Sequence, residues 1–152
     1  MRRRSLLSLV AVGVVLFVAI SIGLARVFGA NGAEQSAITA LVKAEAAGDQ
    51  QGMVARIQGC AHSPSCQTRV AENATSLTRP GAITIIQLQP STSFSLGGMV
   101  ATARVAWRAG SSLPIVQCVR VARTGDVFGG LKIHLLEISV RIKSDSTCPA
   151  RY

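Results

Sequence analysis

The feature that most constrains this chain is the stretch LLSLVAVGVVLFVAISIGLA at residues 6–25, twenty residues without a charge. Thirteen of them are Leu, Ile, Val or Phe. A helix rises about 1.5 Å per residue, so the stretch covers about 30 Å, the thickness of a hydrocarbon core. Each large apolar side chain adds a few tenths of a kcal/mol to insertion. Arg2, Arg3 and Arg4 precede the run and only Arg26 follows it closely, an asymmetry that holds the N-terminus in the cytoplasm. The chain therefore reads as a basic cytoplasmic N-terminus (1–5), a transmembrane helix (6–25), a juxtamembrane tether (26–32), an outer domain (33–145) and a C-terminal tail (146–152), held on the outside of the cytoplasmic membrane. Gly23, Leu24 and Ala25 would suit a cleavage site, but a signal peptide's apolar region spans only about 7–15 residues.

The cysteines agree with that topology. Cys60, Cys66, Cys118 and Cys148 all follow the run, an even number in a segment placed where disulfides form and persist. Three pairings are possible, and the most local joins Cys60 to Cys66 and Cys118 to Cys148, the second tying down the tail. Zinc is the competing use, with His62 between the first two cysteines. Five residues separate that pair and Pro64 starts a helix inside the gap, which fits a zinc knuckle poorly. No metal and no cofactor are expected.

After the run, AEQSAITALVKAEAA puts Ile38, Leu41 and Val42 on one helical face, with Gly48 as stop and Asp49 as the next start. A second helix reaches about Gln58 with Met53, Val54 and Ile57 inward. Ser63-Pro64 caps a third, with the stripe Cys66, Val70, Ala74 and Leu77. Beyond Arg79-Pro80-Gly81 the period falls to two, predicting strands at 83–89, 99–108, 113–123 and 131–143. Short Gly, Ser and Pro-rich loops make them antiparallel neighbours. The inward sets are Ala101, Ala103, Val105 and Trp107, then Ile115, Gln117, Val119 and Val121, then His134, Leu136, Ile138, Val140 and Ile142. Arg104, Arg120 and Glu137 are expected together on the outer face.

The fold class is thus α+β: an N-terminal transmembrane helix, then three short helices on a curved four-stranded antiparallel sheet. In this order of elements, in the helix break at AEAAGDQ and in its strand patterning, the chain resembles the cystatin-like cone domains of the nuclear-transport-factor-like superfamily, over roughly residues 33–145. With its basic N-terminus and single anchor it is similar to small membrane-anchored bacterial envelope proteins of that superfamily. An Arg-over-Lys bias, 13 against 3, suits a GC-rich bacterial genome. The resemblance implies a sheet curled around a pocket, which related isomerases and cyclases equip with a carboxylate or His base and a Tyr or Asp donor. The only tyrosine here is Tyr152 and Asp49, Asp126 and Asp145 fall at caps or turns, so no catalytic residue carries over.

His134, with Gln117 nearby, is the candidate for binding a ligand in such a pocket, since a buried imidazole has a tunable pKa. Asn73 heads an Asn-Ala-Thr glycosylation sequence, but inside a predicted helix. Arg104, Arg108 and Arg120 are the candidate anion or partner surface. The formal charge of +9 includes the three arginines before the run. The remaining basic residues are scattered, without the aromatic platform of a single-strand binder, which argues against nucleic acid and for anionic envelope polymers, the membrane or a neighbouring membrane protein. The expected function is a non-enzymatic interaction or ligand-binding module anchored in the membrane, with a small-molecule isomerase or cyclase as the alternative.

Overall fold

The computed structural model describes residues 2–90, 99–126 and 130–149, with the side chains of 2–9, 25–28, 30, 99, 126, 130 and 131 left out. Phe94, Phe128, Arg151 and Tyr152 lie outside the described residues, as do Arg2, Arg3, Arg4, Arg26 and Asp126 in their side chains. The fold is α+β: helices pack on a four-stranded antiparallel sheet of order β1-β2-β3-β4.

Helix α1 runs from Arg2–Ala46 without interruption. The segment 26–32, expected as a tether, is part of this helix, and so is the separate helix expected from Ala33. Gly29 and Gly32 interrupt the sequence, but a glycine costs a helix only about 1 kcal/mol and no proline stands near. At residues 10–24 the large apolar side chains are uncovered, Phe17 being 72% exposed. Among the described residues no helix is long and apolar enough to cross a membrane. The expected span, 6–25, extends beyond the side chains described.

Further along, the same helix enters the core with Ile38, Leu41 and Val42 fully buried. Gly48, with φ of 70°, takes the left-handed conformation that ends a helix, and the Asp49 N–H closes the turn on the Ala44 carbonyl at 2.9 Å. Asp49 then caps α2 (Gln50–Arg56), its Oδ1 accepting from the Gly52 N–H at 2.8 Å. Ile57 is extended and bridges Leu135, so the chain covers part of a sheet edge before a 3₁₀ turn at Cys60–His62. Ser63 caps α3 (Pro64–Ser76), with Pro64 at its first turn.

The strands are β1 (Ile83–Gln89), β2 (Met99–Ala109), β3 (Ile115–Asp126) and β4 (Gly130–Ile138). Alternation in β2 and β3 puts Ala103, Val105, Trp107, Ile115, Gln117, Val119 and Val121 against the helices, all buried. In β4 the expected face holds at Ile138 and fails at His134 and Leu136. A register shift opposite Arg120 and Val121 pairs them with Glu137 and Leu135, leaving Leu136 as an extra residue. Before that bulge the inward positions are odd-numbered and after it even-numbered, so Leu135 and Ile138 are buried while His134 turns to the outer face. β4 also ends sooner than expected: beyond Ile138 the pairing continues through the Ser139 N–H to the Cys118 carbonyl at 2.8 Å and an isolated bridge, Val116 to Ile142.

Both local disulfides form, Cys60 to Cys66 and Cys118 to Cys148, with Cα separations of 5.3 and 5.8 Å. They leave none of the four cysteines to bind zinc and fit an oxidising, extracytoplasmic setting. The second disulfide closes the chain after β4 over the outer face of the sheet, where Arg104 Nη2 donates to the Ser144 carbonyl and Cys118 is buried. At the opposite end of the helix–sheet contact, Arg123 Nη2 donates to Glu34 Oε2 at 2.6 Å and to Asn31 Oδ1 at 3.1 Å. This ion pair fastens α1 to β3, and Glu34 is fully buried.

Candidate functional site

The chemistry of this domain concentrates in a polar cluster between the helices and the sheet. Glu45 lies seven, four and three residues after Ile38, Leu41 and Val42, so the helical period puts its carboxyl on the buried face of α1. Asn73 follows Val70 by three on the buried face of α3. Trp107 and Gln117 occupy inward positions of β2 and β3. Ser139, just past β4, completes the group, and all five are at most 1% exposed.

Gln117 organises the cluster. Its Oε1 accepts from Trp107 Nε1 at 2.8 Å, and its Nε2 donates to Glu45 Oε1 at 2.8 Å and to the Ser139 carbonyl at 3.1 Å. Asn73 Nδ2 donates to that same carbonyl at 2.9 Å. Ser139 Oγ accepts from the Cys118 N–H at 2.9 Å and donates to the Val140 carbonyl at 2.7 Å, tying the chain beyond β4 to β3. Two buried acceptors are left without a partner, Glu45 Oε2 and Asn73 Oδ1. Burial pushes the Glu45 carboxyl up to about 7, against the opposing pull of the Gln117 and Asn73 side chains.

None of the clefts described on the surface is lined by Glu45, Asn73, Trp107 or Gln117. Trp107 belongs to the apolar core cluster shared by the helices and the sheet.

The residues expected to form a ligand site are not brought together. Gln117 is in the interior, whereas His134 lies on the outer face with its Nε2 3.1 Å from Thr124 Oγ1. Its other surroundings are a shallow cleft shared with Ala37, Ala40 and Arg56 at the β4 edge. The three arginines do share the outer face but are differently engaged. Arg104 binds the tail and lines a cleft of about 730 Å³ with Thr102, Gln89 and residues 144–148. Arg120 pairs with Glu137 at 3.0 Å as expected, without Arg104, and Arg108 is exposed. His62 is exposed, and Asp49 is spent on its cap.

Glu45 and Asn73 were missed as partners, although each stands on an apolar helical stripe where a polar residue needs a reason. Asn73 is 1% exposed, which removes it as a glycosylation acceptor in the folded chain. Among the described residues no three His, Cys, Asp or Glu side chains converge to hold a metal ion. Comparison with family models, with curated proteins and with solved structures finds no match.

Proposed function

We propose that this chain is a single-pass membrane-anchored envelope protein whose outer, disulfide-stapled domain, of the cystatin-like cone kind, is a non-enzymatic interaction module. The observation that carries this reading is the continuity of α1. One helix bears an uncovered apolar surface at residues 10–24 and, farther along, a buried stripe at the centre of the domain. Apolar side chains exposed on all sides of a helix need a covering that this domain does not give them, and a bilayer provides it. The charge bias of the N-terminus orients the chain, and two disulfides suit an outer domain.

The filled interior weighs against the isomerase or cyclase alternative, which needs a cavity beside its acid. Recognition then falls to the outer surface. Arg108 is the exposed member of the basic set, and the cleft beside Arg104 suits an anionic polymer or the acidic face of a neighbouring membrane protein.

The test is made on the full chain in bacterial membranes. The chain is expected to stay with the membrane after an alkaline carbonate wash, to keep its N-terminal segment on sequencing of the mature protein, and to lose its domain to protease added outside spheroplasts. Release by carbonate, or a mature N-terminus beyond residue 25, overturns the anchor. Resistance to outside protease with cleavage only after lysis overturns the orientation.

A further inference from the structure

We infer that Glu45 is a buried proton-binding site: its carboxyl takes up a proton at the unpartnered Oε2, and loss of that proton loosens the grip of α1 on the sheet. The case begins with hydrogen-bond bookkeeping. Glu45 Oε2 is a buried acceptor without a donor in the structure, while Oε1 accepts from the Gln117 amide. Gln117 Nε2 divides its two N–H groups between Glu45 Oε1 and the Ser139 carbonyl, and Asn73 Nδ2 gives one of its two to that same carbonyl. A charged carboxylate oxygen without a donor is costly in a dry interior, and an added proton removes that charge.

No neighbouring charge offers another solution. On α1 itself Lys43 is exposed. From α3, Arg69 and Glu72 pair with each other at 3.0 Å on the surface. From the sheet, Arg104 and Arg108 lie on the outer face, Arg120 is held by Glu137, Arg123 is held by Glu34, and His134 also points outward. Among the described residues, no salt bridge is made to Glu45, whose side-chain partners are the Gln117 and Asn73 amides. Its carboxyl, pushed up to about 7 by burial, is protonated in mildly acidic surroundings and charged in alkaline ones.

The sign of the effect follows from linkage. An unfolded chain has this carboxyl at its ordinary value of 4.5, so between 4.5 and about 7 the folded state holds a proton that the unfolded state has lost. Stability conferred by the site is therefore greatest at the acidic end, falls as pH rises through that window, and levels off above it. Because α1 is the element that carries Glu45, the contact that weakens is the one between the helix and its domain. Only the setting of this switch, an exterior whose pH varies, rests on the membrane reading; the proton site does not.

The experiment uses the full chain in detergent micelles and the emission of Trp107, the sole tryptophan, which is linked to Glu45 through Gln117. From pH 5 to pH 8.5 the wild-type Tm is expected to fall by about 5–10 °C, with a Trp107 emission change centred near neutrality. In Glu45→Gln, whose amide can still accept from Gln117 and carries no charge at any pH, both changes should vanish. A pH dependence unchanged in Glu45→Gln overturns the proposal. Should that variant not fold, His62→Asn with His134→Asn alters only half-exposed or exposed residues and decides the matter: the wild-type transition must survive in it. A transition lost with the histidines, or Trp107 emission flat across the range, likewise overturns the site. A chain that washes off the membrane yet still titrates would sink the anchor and leave the proton site standing.

Discussion

Gln117 illustrates how much of this interior depends on single side chains. Replacing it with Leu keeps the volume but leaves Trp107 Nε1 and Glu45 Oε1 without partners, and each buried orphan costs about 1–3 kcal/mol. Gln117→Leu is expected to lower Tm by roughly 5–12 °C for a chain of this size, measured by thermal denaturation at pH 6. The Glu45 window corresponds to at most about 3 kcal/mol between its acidic and alkaline ends. What could be read of this residue set was its placement: β2 and β3 alternate cleanly, so Trp107 and Gln117 were legible as inward. What could not be read was which polar groups meet. Asn73 and Ser139 are 66 residues apart, and only the packing of α3 beside the end of β4 brings them together.

At the level of elements, boundaries marked by turn chemistry were legible and those marked by tertiary strain were not. Gly48-Asp49 and Ser63-Pro64 announce themselves, whereas the bulge at Leu136 has no glycine or proline to betray it, and it sent His134 to the wrong face. The unbroken α1 was missed because a change of environment was taken for a change of structure. Two substitutions test these element-scale accounts. A Cβ at Gly52 would overlap the Asp49 carboxylate, so Gly52→Ala should displace the cap and cost about 1 kcal/mol in denaturant titration despite alanine's helix propensity. A Cβ at Gly29 meets nothing within 4 Å, so Gly29→Ala should instead raise helix stability by up to about 1 kcal/mol, seen as slower amide exchange around it.

Across the whole molecule, the two disulfides hold loops of very different length, with separations of 6 and 30 residues. In the chain-entropy model the shorter is worth about 2 kcal/mol and the longer about 3.5 kcal/mol. Cys118→Ser with Cys148→Ser should therefore destabilise more than Cys60→Ser with Cys66→Ser in equilibrium unfolding. It should also free residues 144–148 to proteolysis, since the disulfide joins this segment to the sheet beside the bond from Arg104 to the Ser144 carbonyl. The continuous helix has a different kind of consequence. With no joint between its apolar stretch and its core stripe, α1 is a ruler and a dial. Each residue inserted between 26 and 30 lifts the domain by about 1.5 Å and turns it by about 100°. An evolving sequence can therefore choose which side of the sheet looks toward a neighbour by counting residues alone, while leaving every interior contact untouched.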